Sequence, residues 1–175
     1  TGGAGFIASH LIDQLLAEGT WNITVVDDLN DFYSPEIKRA NVARHLGSAD
    51  YKFVEADIRE SCALEPVFDE GEFSHIVHLA ARAGVRPSLT QPRLYFETNV
   101  TGTLNLLELA KEHGVKQFVF GSSSSVYGVN GKIPFSEQDR VCRPISPYAA
   151  TKAAGELLCH TYSHLHDIRT VCLRF

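Results

Sequence analysis

Thr1-Gly2-Gly3-Ala4-Gly5-Phe6-Ile7-Ala8, followed by Asn22-Ile23-Thr24-Val25-Val26-Asp27, decides the fold. Gly2 and Gly5 let backbone amides come close to a phosphate, and a helical pattern through Leu11, Ile12, Leu15 and Leu16, closing near Gly19, brings the partial positive charge of a helix start. Ala8 stands where a third glycine is usual and still permits close helix-to-strand packing. A glycine loop alone marks a turn more often than a nucleotide site. Here a β-branched run ends in the carboxylate of Asp27, about 20 residues past the glycines, where a ribose hydroxyl would lie. Asp27 favours NAD over NADP, because the next basic residues, Lys38 and Arg39, lie well downstream.

Outward from that unit, strands and helices alternate. Residues 28–44 read as a loop and then a helix, residues 51–54 as a short strand, and Asp57-Ile58 follows where a carboxylate and an apolar neighbour could grip an adenine. A helix around 62–68 precedes a strand at 73–79, whose last residue is Leu79. That strand empties into Ala80-Ala81-Arg82-Ala83-Gly84-Val85-Arg86, small residues that let backbone lie against a cofactor, with Arg82 or Arg86 able to meet phosphate. Val100, Leu104, Leu107 and Ala110 give a helix over 99–113 its core face, and 116–120 is an apolar strand. A helix from Tyr148 to His164 and a strand from Thr170 complete the pattern. The expected fold is α/β, a doubly wound parallel sheet of Rossmann-like type, with 1–175 forming one partial NAD-binding domain.

Two stretches carry chemistry. Ser146-Pro147-Tyr148-Ala149-Ala150-Thr151-Lys152 sets a phenol and an ammonium four residues apart on one helix face, and a nearby ammonium stabilises a phenolate, so the pair can take a proton from an alcohol. Gly121-Ser122-Ser123-Ser124-Ser125-Val126-Tyr127-Gly128 places four hydroxyls at the carboxyl end of a strand, where ligands sit in open α/β sheets. The loop 128–147 between them is long enough to suggest a functional role.

Composition narrows the partners. The 175 residues are 44% hydrophobic and carry a net charge of −5 with scattered Lys and Arg, which offers no basic stripe for nucleic acid. Cys62, Cys142, Cys159 and Cys172 show no metal-ligand spacing and read as reduced, buried thiols. His160, His164 and His166 lack a converging carboxylate or cysteine, so no metal is expected. The triplets at Asn22 and Asn99 fall inside expected elements and read as chance matches to a glycosylation signal.

Together, the glycine loop, Asp27, Asp57-Ile58, the serine cluster and Tyr148-xxx-Lys152 resemble the extended short-chain dehydrogenase/reductase family of nucleotide-sugar enzymes, the NAD-dependent epimerases and dehydratases. Within it, Asn30-Asp31-Phe32-Tyr33-Ser34-Pro35, Ala80 to Arg86, Ser122 to Gly128, Pro134-Phe135-Ser136-Glu137 and His160-Thr161-Tyr162 look like those of UDP-glucuronate 4-epimerases. The resemblance implies a cycle without net redox. Tyr148, assisted by Lys152, removes the proton of the sugar 4-hydroxyl while C4 gives a hydride to NAD, and the 4-keto sugar turns over and takes it back. Ser123, or as second choice Ser125, would hold O4. Cofactor contacts fall to Gly2, Gly5, Asp27, Asp57, Ile58, Asn99, Tyr148 and Lys152, with Phe6 and Ile7 at the helix start and Leu79, Ala80 and Ala81 at the strand exit.

Relatives that dehydrate or decarboxylate their sugar usually have an acidic residue directly before Val-Tyr-Gly; here it is Ser125, a poor acid for a leaving hydroxyl. That ranks the epimerase above the 4,6-dehydratase and decarboxylase readings, with UDP-glucose/galactose epimerisation another family alternative. A non-catalytic NAD-binding module is the reading from a different class. A homodimer through the helices after Asn99 and Tyr148 is implied, and a bacterial protein of this kind would be cytoplasmic. The absence of Met at Thr1 suggests a fragment lacking a central first strand and the substrate-binding region beyond Phe175, expected to fold poorly and turn nothing over alone; a membrane anchor ahead of Thr1 stays open.

Overall fold

The computed structural model describes residues 1–175. β1 (Ile23–Asp27) and β2 (Tyr51–Glu55) pair in parallel, Ile23 opposite Tyr51 and Asp27 opposite Glu55. β3 (His75–His78), β4 (Gln117–Ser122) and β5 (Arg169–Arg174) form a second parallel sheet in that order, with Ile76, Phe118 and Thr170 in register. The single sheet expected from the sequence is therefore two. The reason is that only Thr1 and Gly2 supply backbone between β1 and β3: the Thr1 amino group donates to Val77 O at 2.8 Å, Leu79 N to Thr1 O at 3.1 Å, and Gly2 N to Val26 O at 2.8 Å. Away from that junction the space between the sheets holds a cavity of about 250 Å³ lined by Leu11, Ile12, Leu15, Val25, Phe73 and Val77.

Helices cover the strands as the apolar periodicity requires. α1 (Phe6–Glu18) leaves the glycine loop and stops at Gly19, whose φ of 67° suits a residue without a Cβ. α2 (Pro35–Ala43) and α3 (Ser61–Glu70) follow β1 and β2. Two short helices, α4 (Val85–Thr90) and α5 (Pro92–Phe96), were too short to leave a periodic signal. The helix expected from residue 99 instead begins as a π-helical turn, Glu97–Thr101, and becomes α6 (Gly102–Glu112). Such turns recur at functional sites, and this one places Thr98 on a cleft and Asn99 beneath it. α7 (Pro147–His166) starts where Ser146 accepts from Ala149 N at 3.1 Å and proline fits the first turn.

The larger core joins β3–β5 to α3, α6 and α7 through Leu64, Leu106, Leu107, Phe118, Phe120 and Cys159. A smaller one, Ala4, Ile12, Val25, Leu29, Val42 and Tyr51, holds α1 and α2 to β1 and β2. Gly155 lets α7 settle on β4, since a Cβ there would lie 2.3 Å from Phe120 Cζ. Against expectation, Cys62 and Cys142 are exposed: Cys62 stands off the α3 face that Leu64, Val67 and Phe68 bury, and Cys142 lies in the loop before α7. Asn22 also departs from expectation, standing exposed just before β1, while Asn99 is buried in the π-helical turn. No helix is long and apolar enough to cross a membrane.

Candidate active site

The carboxyl ends of β1, β2 and β3 open into one cleft of about 160 Å³, and Gly2, Gly5, Asp27, Asp57, Ile58, Leu79, Ala80 and Ala81 all line it. Gly2 makes the cleft floor possible. Its φ is +74°, and a Cβ would come within 2.5 Å of Ala80 N, so only glycine lets the loop lie against the β3 exit. Gly5 caps α1, leaving the first-turn amides of Phe6 and Ile7 unspent in the helix while their side chains stay exposed. Those two residues offer backbone rather than side chain.

Asp27 is buried at the end of β1, where its carboxylate accepts from Ala4 N at 3.1 Å and Leu29 N at 2.9 Å. Burial pushes its carboxyl above the usual range, against the opposing pull of those amides and of Lys38. Asp57 is the reverse case. Burial pushes it up, but the Arg59 guanidinium, 2.9 Å from Oδ2 through Nε, and the Arg59 amide outweigh that and hold it below the usual carboxylate range. It keeps its charge at the cleft wall.

Lys38 is the group that sequence distance concealed. α2 folds back over the glycine loop, tied there by Asn41 Nδ2 donating to Ala4 O at 2.9 Å, and brings Lys38 into the cleft wall beside Asp27 and Asp28. Its side chain is buried, with Nζ 4.9 Å from the centre of the Tyr33 ring. A cation therefore does stand beside Asp27 in the cleft wall. The signal available in the sequence was the proline-started helix carrying Lys38 four residues before the core residue Val42.

Tyr148 and Lys152 lie one turn apart on α7, and Lys152 reaches the end of β4. Lys152 is buried, donates to Gly121 O at 2.7 Å and stands 4.9 Å over the Phe120 ring. Burial pulls its ammonium down to about 8, so it remains largely charged at neutral pH. The half-buried Tyr148 ring meets Tyr95 edge to face at 6.2 Å, and Tyr95, absent from the sequence expectation, is fixed by donating to Ala83 O at 2.5 Å. Asn99 does not line the cleft. Its amide accepts from Arg82 N at 2.8 Å and donates to Arg82 O and Thr151 Oγ1, both at 3.0 Å, clamping the β3 exit to α7.

The four serines separate by what their hydroxyls already do. Ser122 donates to Glu156 at 2.5 Å, and Glu156 is held by Arg174 through bonds of 2.9 and 2.8 Å. Arg174 also donates to Tyr127 OH at 3.1 Å, fixing the short 3-10 turn Ser124–Tyr127. Ser125 donates its hydroxyl to Ser123 Oγ at 2.9 Å, and the Ser125 amide donates there at 3.2 Å. Ser123 thus accepts twice and keeps its own proton to give, which suits it to a developing oxyanion better than Ser125. No cluster of three His, Cys, Asp or Glu is arranged to hold a metal.

Comparison with known proteins brings this arrangement into a group. A family model described as the NAD dependent epimerase/dehydratase family matches residues 1–175. UDP-glucuronate 4-epimerase 3 of Arabidopsis thaliana is 43% identical over 176 residues, covering 100% of this chain and 40% of that protein. Among solved structures, the UDP-glucose 4-epimerase of Thermus thermophilus in complex with NAD is 37% identical with a TM-score of 0.86, covering 99% of this chain and 52% of that one. The Bacillus cereus UDP-glucuronic acid 4-epimerase in complex with UDP-glucuronic acid and NAD is 33% identical, with a TM-score of 0.86 over 99% of this chain and 54% of that one. The chain spans about half the length of the curated relatives it matches.

Proposed function

The chain belongs to the NAD dependent epimerase/dehydratase family, and from that premise we propose that its whole protein epimerises a nucleotide sugar at C4, converting UDP-glucuronate to UDP-galacturonate. NAD is the cofactor, and the cleft fits it: Gly2 keeps the floor clear of a Cβ, the first-turn amides of α1 face a pyrophosphate position, and Asp27 and Lys38 offer polar groups to a ribose. When bound, NAD takes a hydride from the sugar carbon and gives it back.

The chain's own residues handle the proton. Tyr148, as the phenolate that the Lys152 ammonium one turn along α7 favours, takes it from the 4-hydroxyl and becomes neutral, while Ser123 gives a hydrogen bond to O4 as negative charge develops there. The 4-keto sugar that forms must turn before the hydride returns to its other face.

The observation that carries the reading is the hydroxyl pair of Ser123 and Ser125 directly before Val126-Tyr127-Gly128. With no carboxyl there, the site can polarise O4 but has no acid at that position for a leaving hydroxyl, which favours epimerisation over dehydration. The likeness to a UDP-glucose 4-epimerase supports that substrate as the second reading. A homodimer through α6 and α7 is supported by Leu104, Leu157 and Leu165, large apolar side chains left exposed on these helices.

The test is a substrate panel with the complete gene product and no added cofactor: UDP-glucuronate, UDP-glucose and dTDP-glucose, with products identified by NMR. UDP-glucuronate is expected to give the highest kcat/KM, and UDP-galacturonate to form without accumulation of NADH. UDP-xylose as product, or preference for UDP-glucose, would overturn the substrate assignment.

A further inference from the structure

Thr151 sits between the catalytic pair in sequence and is fully buried. Its hydroxyl accepts from Asn99 Nδ2 at 3.0 Å and donates to the carbonyl of Tyr148 at 2.7 Å. Asn99 spends the rest of its amide on the Arg82 backbone, at 2.8 and 3.0 Å, and Arg82 lines the cofactor cleft. A continuous chain of bonds therefore runs from cleft wall to the turn bearing Tyr148. Asn99 is itself pinned from behind. Thr103 Oγ1 donates to Asn99 O at 2.6 Å, so it must accept from His78 Nε2 at 2.9 Å, and His78 Nδ1 then accepts from Thr1 Oγ1 at 2.8 Å. His78, Asn99, Thr103 and Thr151 are all fully buried, and no polar side-chain atom among them is left unpaired.

A threonine hydroxyl that bonds back to the carbonyl of the preceding turn bends a helix slightly, and a bond arriving from outside fixes the direction of that bend. We propose that Thr151 is a positioning residue, holding the Tyr148 turn at a distance set by the cofactor-lining Ala80 to Ala83 segment, so that cofactor binding and proton transfer share one geometry. The inference rests on the epimerase reading for its kinetic arm alone.

The experiment compares Thr151→Val, which keeps the shape and removes the hydroxyl, with Thr151→Ser, which restores both bonds, in the complete gene product. Loss of both hydrogen bonds of the Thr151 hydroxyl is expected to lower kcat about three- to tenfold, with bound NAD and KM held within about twofold, and Thr151→Ser should recover the rate. An unchanged kcat in Thr151→Val, or a loss of NAD in step with rate, would overturn the proposal. Should Thr151→Val not fold, or should no nucleotide sugar be turned over, hydrogen exchange on the wild type decides: NAD is expected to slow exchange at residues 149–152, and no change there would overturn the coupling.

Discussion

The cofactor cleft and the face proposed for proton transfer lie at the same end of the strands, yet they are held in different ways. In the cleft, Asp27 and Asp57 each take the amide two residues further on, so each carboxylate has an anchor in its own turn, to which Asp27 adds the amide of Ala4. Over β3 to β5, Lys152 is held by Gly121, Ser122 by Glu156, and Glu156 by Arg174, partners 18 to 34 residues apart. The core is small where α1 and α2 meet β1 and β2, and large where α3, α6 and α7 meet β3 to β5. The lesson is that the cleft carboxylates keep a local anchor beside their distant ones, while Lys152, Ser122 and Glu156 depend on α7 seated against β4 and β5.

The sharpest break is Tyr148→Phe. It removes the proposed proton acceptor and leaves the cleft alone, so turnover should fall by about a hundredfold to ten-thousandfold while NAD stays bound at wild-type stoichiometry, read by activity and by cofactor released on denaturation. Next comes Lys152. Its folded pKa of about 8 lies below the unfolded 10.5, so between those values the unfolded chain binds more protons and stability rises with pH. Relative to Lys152→Met, wild-type stability should climb by about 3 kcal/mol from pH 8 to 10.5 and run parallel below pH 8, measured by denaturant unfolding.

Gly155→Ala tests the seating of α7 itself. The new Cβ meets the Phe120 ring, and the displacement should cost about 1–3 kcal/mol of stability while also loosening the Lys152 bond to Gly121, so melting temperature and kcat fall together. The smallest effect belongs to the cleft. Lys38→Met should weaken NAD binding about three- to tenfold. The same change should alter unfolding free energy by less than about 1 kcal/mol, since one cation–π contact is lost and the apolar stem is kept. A large drop in stability there would blur the distinction between the two regions.

What could be read from sequence follows that distinction. The glycine loop, Asp27, Asp57 and the β3 exit were legible because each is a local pattern with a backbone reason, and all of them do line one cleft. Tyr148 and Lys152 were legible through helical spacing. Lys38 was not, because α2 doubles back by a route that no periodicity encodes. Neither were the Asn99 clamp, Tyr95 or the Glu156 and Arg174 pair, whose partners meet only after the sheet has formed. The serines were visible as a cluster, but their division into structural Ser122 and donating Ser123 depends on Glu156 arriving from α7.

The most direct measurement of the hydride cycle uses UDP-glucuronate deuterated at C4, incubated with the complete gene product in ordinary water. Deuterium retained at C4 of UDP-galacturonate is the expected result, because in the proposed cycle the hydride leaves and returns within one site. Loss of the label to solvent, or an epimerised product carrying hydrogen at C4, would contradict it.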